Sequence, residues 1–347
     1  MRLTKNGKWA MLDYINCHGS KFQGYEFYEA MNERWKREGV NAEYQRIPCK
    51  QCIGCREDYA KEWATRIALE MTKYDSNWFV TFTYDDLHLP WDDTFIDPEN
   101  GEIYTNDGTW GGYLVPEHMT KFFKRLRERW ERVHGHNGIR YFYCGEYGGT
   151  TERPHYHAII FNLPIEVNTL RIHYMEKSTG YITYNCKEIE DLWGMGFVTI
   201  NEANWQTACY TAGYVQKKRG SCRDYKLYAE KGQTPEFIRM SRNGGIGKDY
   251  YEHHPEMYNN DEIIIHGAHN IIAPVKIPRY FDKIHEERYP EILERNKEKR
   301  KQKALNNNAI TQANTSLNIQ EQLQVEKKTK EEKMRIFKSR NMDRVQY

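Results

Sequence analysis

Two histidines stand two positions apart in RPHYHAIIF, where His155 and His157 bracket Tyr156. On a β-strand, positions i and i+2 face the same way, so both imidazoles project together, as a divalent cation needs. Two histidines of a strand that bind nothing would share the same spacing. Upstream, IRYFYCGEYGG ends on Glu146 before the chain turns into the histidine strand. Antiparallel pairing of those strands brings Glu146 beside the histidine pair. Two imidazoles and one carboxylate leave coordination positions open for substrate oxygens. An edge carboxylate paired with Arg140 or Arg153 is the plainer alternative. Further on, CYTAGYVQKK places Tyr210, Tyr214 and Lys217 on one face of a helix. A phenol titrates near about pH 10, so attack at neutral pH needs assistance. Lys217 could favour phenolate or brace a phosphate, while a metal polarises the phosphate under attack. An aromatic packing stripe with a solvated lysine is the alternative.

The elements that must hold these residues are legible in part. Residues 1–48 show little periodicity. CREDYAKEWATRIALEMTKY predicts a helix, with Trp63, Ile67 and Met71 four apart and Ala60, Ala64 and Ala68 alongside. NWFVTFTYDD alternates and is rich in β-branched and aromatic residues, which predicts a strand. Clusters of Asp, Pro, Asn and Gly make residues 85–115 a long loop. Pro116 opens a second helix with Met119, Phe122, Phe123, Leu126, Trp130 and Val133 in one stripe and Lys and Arg opposite. Gly135 and Gly138 flank its end. IRYFYCGE, HYHAIIF and GMGFVTI predict three more strands, and Asn201 or Asn204 caps a third helix running to about Lys218. The order strand, helix, three strands, helix predicts an α+β fold with a mostly antiparallel sheet.

Composition bounds the rest. The chain has 347 residues, a formal net charge of +2 and 26 Tyr. With 14% aromatics it is no purely disordered chain, yet it is polar enough that some segment must be loose. That segment begins after Pro290, where Lys, Glu, Gln and Asn dominate. No apolar run is long enough to span a membrane, and the N-terminus lacks the apolar core of a secretory signal. Cys49, Cys52 and Cys55 form C-x₂-C-x₂-C ahead of the first helix. Three thiolates so spaced can wrap a structural Zn²⁺, with Cys17, His18 or Cys144 as fourth ligand; buried free cysteines are the alternative. KFFKRLRERW, VQKKRG and the lysine-rich tail are local basic patches fit for phosphates or simply for water. The glycines of SRNGGIGKDYY would let backbone amides approach an anion near Lys248, but the Walker spacing is missing, so no ATPase is inferred.

Taken in order, FVTFTY, GEYG, RPHYH and YTAGYVQKK resemble the HUH endonucleases that start rolling-circle replication. They look most like the replication initiators of small tailless single-stranded DNA phages, the gokushovirus-type microviruses. PCKQCIGCR and SRNGGIGKDYY are also similar to that group, and the likeness spans roughly residues 45–285. The resemblance implies the HUH endonuclease fold, a central antiparallel sheet of about five strands with the histidine strand central and helices flanking it. It implies Glu146, His155 and His157 as ligands of Mg²⁺ or Mn²⁺, Tyr210 and Tyr214 as nucleophiles, and Lys217 as their accessory. The expected activity is nicking of single-stranded or origin DNA, with a 5′-phosphotyrosine intermediate, a freed 3′-hydroxyl and later rejoining. A host polymerase and host helicase would be partners in the cytoplasm of a bacterium. A HUH transposase would need one tyrosine and a relaxase usually a third histidine. A non-enzymatic zinc-dependent DNA-binding protein, organised by the cysteines, is the reading from another class; an HxH metal oxygenase would not need Tyr210, Tyr214 or Lys217. The expected organisation is an N-terminal segment over 1–76, an endonuclease core over 77–290 and a charged tail, partly helical or disordered, over 291–347.

Overall fold

A computed structural model of the chain describes residues 2–5, 8–11, 37, 53–91, 94–96, 101–105, 112–149, 151–177, 181–218, 228, 233–266, 272–317 and 319–342. Seven strands form one sheet: β1 (Asn77–Tyr84), β2 (Arg140–Tyr147), β3 (Pro154–Phe161), β4 (Leu170–Met175), β5 (Ile182–Cys186), β6 (Gly196–Glu202) and β7 (Phe237–Met240). Their spatial order is β7-β2-β3-β1-β6-β5-β4, and every neighbouring pair is antiparallel. The helices are α1 (Ile53–Met71), α2 (Pro116–His134), α3 (Lys187–Trp193), α4 (Trp205–Lys218), α5 (Lys248–His253), α6 (Arg279–Arg288), α7 (Pro290–Ala313) and α8 (Ile319–Met342). This is the expected α+β arrangement, with seven strands in place of about five. The additions have physical causes. The β4 strand is exposed along almost its whole length, so it carries no apolar alternation to read, and the β5 strand joins the sheet through the single pair Ile200↔Tyr184. The β7 strand is a four-residue edge. Within residues 85–115 a short hairpin, Thr94–Ile96 with Ile103–Thr105, interrupts the expected loop.

Alternation in β1 to β3 divides the core into two layers. Val80, Phe82 and Tyr84 join Tyr143, Tyr156, Ala158 and Ile160 on one face, where α2 contributes Met119, Phe122, Phe123, Leu126 and Trp130. Burying each such aromatic removes about 2–3 kcal/mol of unfavourable hydration. Val133, the sixth residue of the predicted stripe, is exposed. The helix ends one residue later, at His134, and Gly135 takes the left-handed conformation that caps it. On the opposite face Phe142, Ile159 and Phe161 pack against Ala64 and Ile67 of α1 and Ala208 and Ala212 of α4. The small side chains at 208 and 212 let α4 lie close to the sheet. Its start is set by Asn204, whose Oδ1 accepts from Thr207 N at 2.9 Å, an N-cap bond. Asn201 is instead buried in β6, donating to the Ile182 carbonyl.

Tyrosine hydroxyls tie a loop to the first face. Tyr156 Oη accepts from Val115 N at 2.8 Å and lies 3.0 Å from Tyr84 Oη, and Tyr147 Oη accepts from Leu114 N at 3.1 Å. Tyr156 is thus a structural hub as well as the residue between two histidines, and burial pushes its phenol up to about 12. Gly145, between Tyr143 and Tyr147 on this face, has no room for a side chain: a Cβ there would stand 3.0 Å from Leu114 and 3.1 Å from Phe237.

Contacts divide the chain into two compact units, Tyr59–Asn296 and a second built of Met1–Asp58 with Lys297–Tyr347. The first holds the sheet, most of α1, and a further small core where Leu69, Tyr251, Tyr258, Phe281 and Leu293 meet. In the second, the described residues include the hairpin Arg2–Lys5 with Lys8–Met11, most of α7, and α8. Among the described residues no helix is long and apolar enough to cross a membrane.

Candidate metal centre

Strand register assembles the site. Glu146 on β2 is paired with His155 on β3, and His155 is in turn paired with Thr83 on β1. One row along, Cys144, His157 and Thr81 are in line. Directly opposed residues share a face, so all of these project to the α4 side. Glu146 Oε1 accepts from His155 Nε2 at 2.8 Å and from His157 Nε2 at 2.7 Å. The three donor atoms lie within 4.8 Å of one another, and Glu146 and His157 are buried.

The donor set fits a divalent cation. His155 Nδ1 donates to the Arg153 carbonyl at 3.1 Å, and His157 Nδ1 lies 3.0 Å from Thr81 Oγ1. Bonds of this kind at Nδ1 leave Nε2 to face an ion. Here both Nε2 atoms bind the one carboxylate oxygen. Burial alone would push the Glu146 carboxyl up; the two imidazole hydrogen bonds outweigh it and hold the group at about 2. Burial likewise disfavours charge on His155, but the hydrogen bond and charge of Glu146 prevail and raise its pKa. The plainer partners of Glu146 are engaged elsewhere. Arg153 pairs with Asp86 at 2.6 Å and Arg140 with Glu70 at 2.6 Å.

Tyr210 reaches this cluster from α4. Its ring meets the His157 ring edge-on at a centroid distance of 5.2 Å and the Phe79 ring at 5.8 Å. Tyr214 and Lys217 follow on the same helix, with side chains outside the described residues. Of the cysteine cluster, Cys49 and Cys52 lie outside the described residues, as do Cys17 and His18. Cys55 lies in the first turn of α1, and Cys144 is buried in β2; neither is in a disulfide.

Two residues that the motifs did not point to belong to the site's surroundings. Thr81 supports His157 and could have been found by extending the alternation of NWFVTFTY to its neighbour strand. Phe197 on β6 is paired with Thr83 and so continues the row Glu146–His155–Thr83 across the sheet. It is 69% exposed, about 10 Å from His155 at two strand spacings. The signal for it was an apolar residue at an outward position of GMGFVTI.

The family model for replication-associated proteins of the ORF2 type matches residues 77–219. The replication-associated protein ORF2 of Spiroplasma virus 4 is 38% identical over 262 residues, 74% of this chain and 74% of its own. The chain belongs to this family of replication-associated proteins. Replication-associated protein VP4 of Bdellovibrio phage phiMH2K is 29% identical over 252 residues, 71% of this chain and 69% of its own. Replication-associated protein ORF4 of Chlamydia phage 1 shares 29% over 173 residues, 50% and 38% of the two chains. No solved structure matches. The segment matched to the replication-associated family begins with the first residue of β1 and ends one residue past α4. It therefore contains the three donors, Thr81, Phe197 and the tyrosine helix, while α1 and everything from β7 onward lie outside it.

Proposed function

We propose that this replication-associated protein initiates rolling-circle replication by nicking single-stranded or origin DNA through a tyrosine. The observation that carries the reading is the Tyr210 ring against His157, one of three buried or partly buried donors for a divalent ion. A phenolate oxygen attacks the phosphorus, the bond to the 3′ oxygen breaks, and that oxygen leaves as a hydroxyl after taking up a proton. The 5′ phosphoryl group stays esterified to tyrosine, which conserves the bond energy for later rejoining. Glu146, His155 and His157 hold Mg²⁺ or Mn²⁺, which supplies charge stabilisation to the phosphate oxygens. Two imidazoles suit Mn²⁺ better than Mg²⁺. Lys217 favours the phenolate or braces the phosphate, and Tyr210 and Tyr214 alternate between holding one end and attacking the next.

In this reading residues 77–290 form the endonuclease core, with 1–76 and 291–347 flanking it. Cys49, Cys52 and Cys55 hold a structural Zn²⁺, and a host polymerase and helicase extend the freed 3′ end. The test is a denaturant-stable protein–DNA adduct on single-stranded origin oligonucleotides with Mn²⁺. Changing both Tyr210 and Tyr214 to Phe should abolish it, and an adduct that persists in the double variant sinks the assignment.

A further inference from the structure

The glycine-rich stretch SRNGGIGKDYY has no part in the proposed cleavage. It folds over the Arg140 end of β2, where Arg140 donates to the carbonyls of Asn243 and Gly245. Its own amides are largely engaged: Gly247 N donates to Glu70 Oε2 at 2.6 Å and Gly245 N to the Arg242 carbonyl at 3.2 Å. The anion that Gly247 approaches is thus a carboxylate of this chain. Gly247 has a φ of +74°, so a side chain there would be strained.

The same loop walls a cavity of about 470 Å³ whose other side is Arg66, Tyr280 and Arg288. Arg66 is only 9% exposed. Its guanidinium is held between the Trp63 and Tyr280 rings, 4.1 and 3.8 Å from their centroids, and Nε donates to the Ile246 carbonyl at 3.0 Å. Among the described residues no carboxylate pairs with it, and no hydrogen bond occupies its Nη atoms. Arg242, exposed on the rim, has no ion pair among them either. Lys248 and Arg288 share Glu252 at 3.3 and 3.5 Å, and Glu287 is the carboxylate on the wall.

A buried cation without a counter-charge is costly, and burial lowers the Arg66 pKa to about 10. A planar guanidinium fork fixed by two rings is the geometry that recognises phosphate in a bidentate manner. We propose that this cavity binds a phosphate group, from the phosphodiester of a DNA strand or from a free nucleotide, through Arg66 and Arg242. The cavity lies about 20 Å from Glu146, six residues along β2 at roughly 3.3 Å each. That span is about six nucleotides of one strand in a B-form helix.

Binding is measured on the full chain in EDTA, so the outcome does not depend on cleavage. The probes are thymidine 5′-monophosphate and a 12-nucleotide oligothymidylate. Arg242→Glu should weaken one probe about tenfold, and for the oligonucleotide should reduce the slope of log affinity against log salt by about one. Arg66→Lys, which keeps the charge and removes the fork, should weaken the same probe. Loss for the oligonucleotide alone assigns the phosphodiester; loss for the mononucleotide assigns a free nucleotide. Exposed Lys177→Glu is the control for net charge. Unchanged affinity for both probes in Arg242→Glu, folded by its melting temperature, overturns the proposal, as does a loss no larger than that of Lys177→Glu.

Discussion

Glu146 offers one oxygen to two imidazoles, so protons stand where an ion would bind. Metal uptake must displace them. His155 carries the firmest proton, because Glu146 raises its pKa and its Nδ1 is committed to the Arg153 carbonyl. Mn²⁺ affinity should therefore rise with pH through the raised His155 value and level off above it. Calorimetric titration across pH checks this, and a flat profile would contradict the ligand set. Thr81 holds the far side of His157. Thr81→Val, nearly the same shape without the hydroxyl, should weaken Mn²⁺ binding by about 10–100-fold while leaving the melting temperature in EDTA close to wild type. The histidine pair and Glu146 were legible because a strand's period of two aims alternate residues together. Thr81 was not, since its part depends on which strand pairs with β3, and that is a matter of register rather than local pattern.

At the scale of elements, β6 puts an exposed aromatic in line with the metal donors. If single-stranded DNA crosses the sheet there, a base can stack on Phe197. Phe197→Ala should then cost about 1–3 kcal/mol of binding to oligonucleotide, and Phe197→Trp should retain it. Filter binding in EDTA separates this from any effect on cleavage, and equal binding by the Ala variant would remove Phe197 from the DNA path. The strands and helices with strong periodicity were read correctly from the sequence: NWFVTFTY, IRYFYCGE, HYHAIIF, GMGFVTI and the Pro116 helix all form. The β4–β5 hairpin was missed because Arg171, Ile172, His173 and Tyr174 face solvent and no hydrophobic period survives. The capping choice between Asn201 and Asn204 turned on one bond to Thr207 that no propensity distinguishes.

For the whole molecule, the same cluster makes stability depend on pH. The Glu146 pKa falls from 4.5 to about 2 on folding, so its contribution is present above about pH 4.5 and lost as pH falls towards 2. The His155 pKa rises from 6.5, so its contribution is present below 6.5 and lost as pH climbs through the raised value. In EDTA the advantage of wild type over Glu146→Gln should be largest between about pH 4.5 and 6.5, roughly 3 kcal/mol at most. Thermal melts of the two proteins across pH test it, and a pH-independent difference would refute it. The 26 tyrosines likewise make sense only in the assembled fold, since Tyr84, Tyr147 and Tyr156 are buried with their hydroxyls engaged while Tyr210 alone is described beside the donors. The row Glu146–His155–Thr83–Phe197 behaves as a ruler. Its divisions are backbone hydrogen bonds, so no side-chain substitution can lengthen the interval between the ion and the stacked base. Only a slip of β6 against β1 could change it, and a slip of one residue would turn Phe197 to the opposite side of the sheet. Relatives can therefore alter which base is gripped, but not how far from the cut it lies.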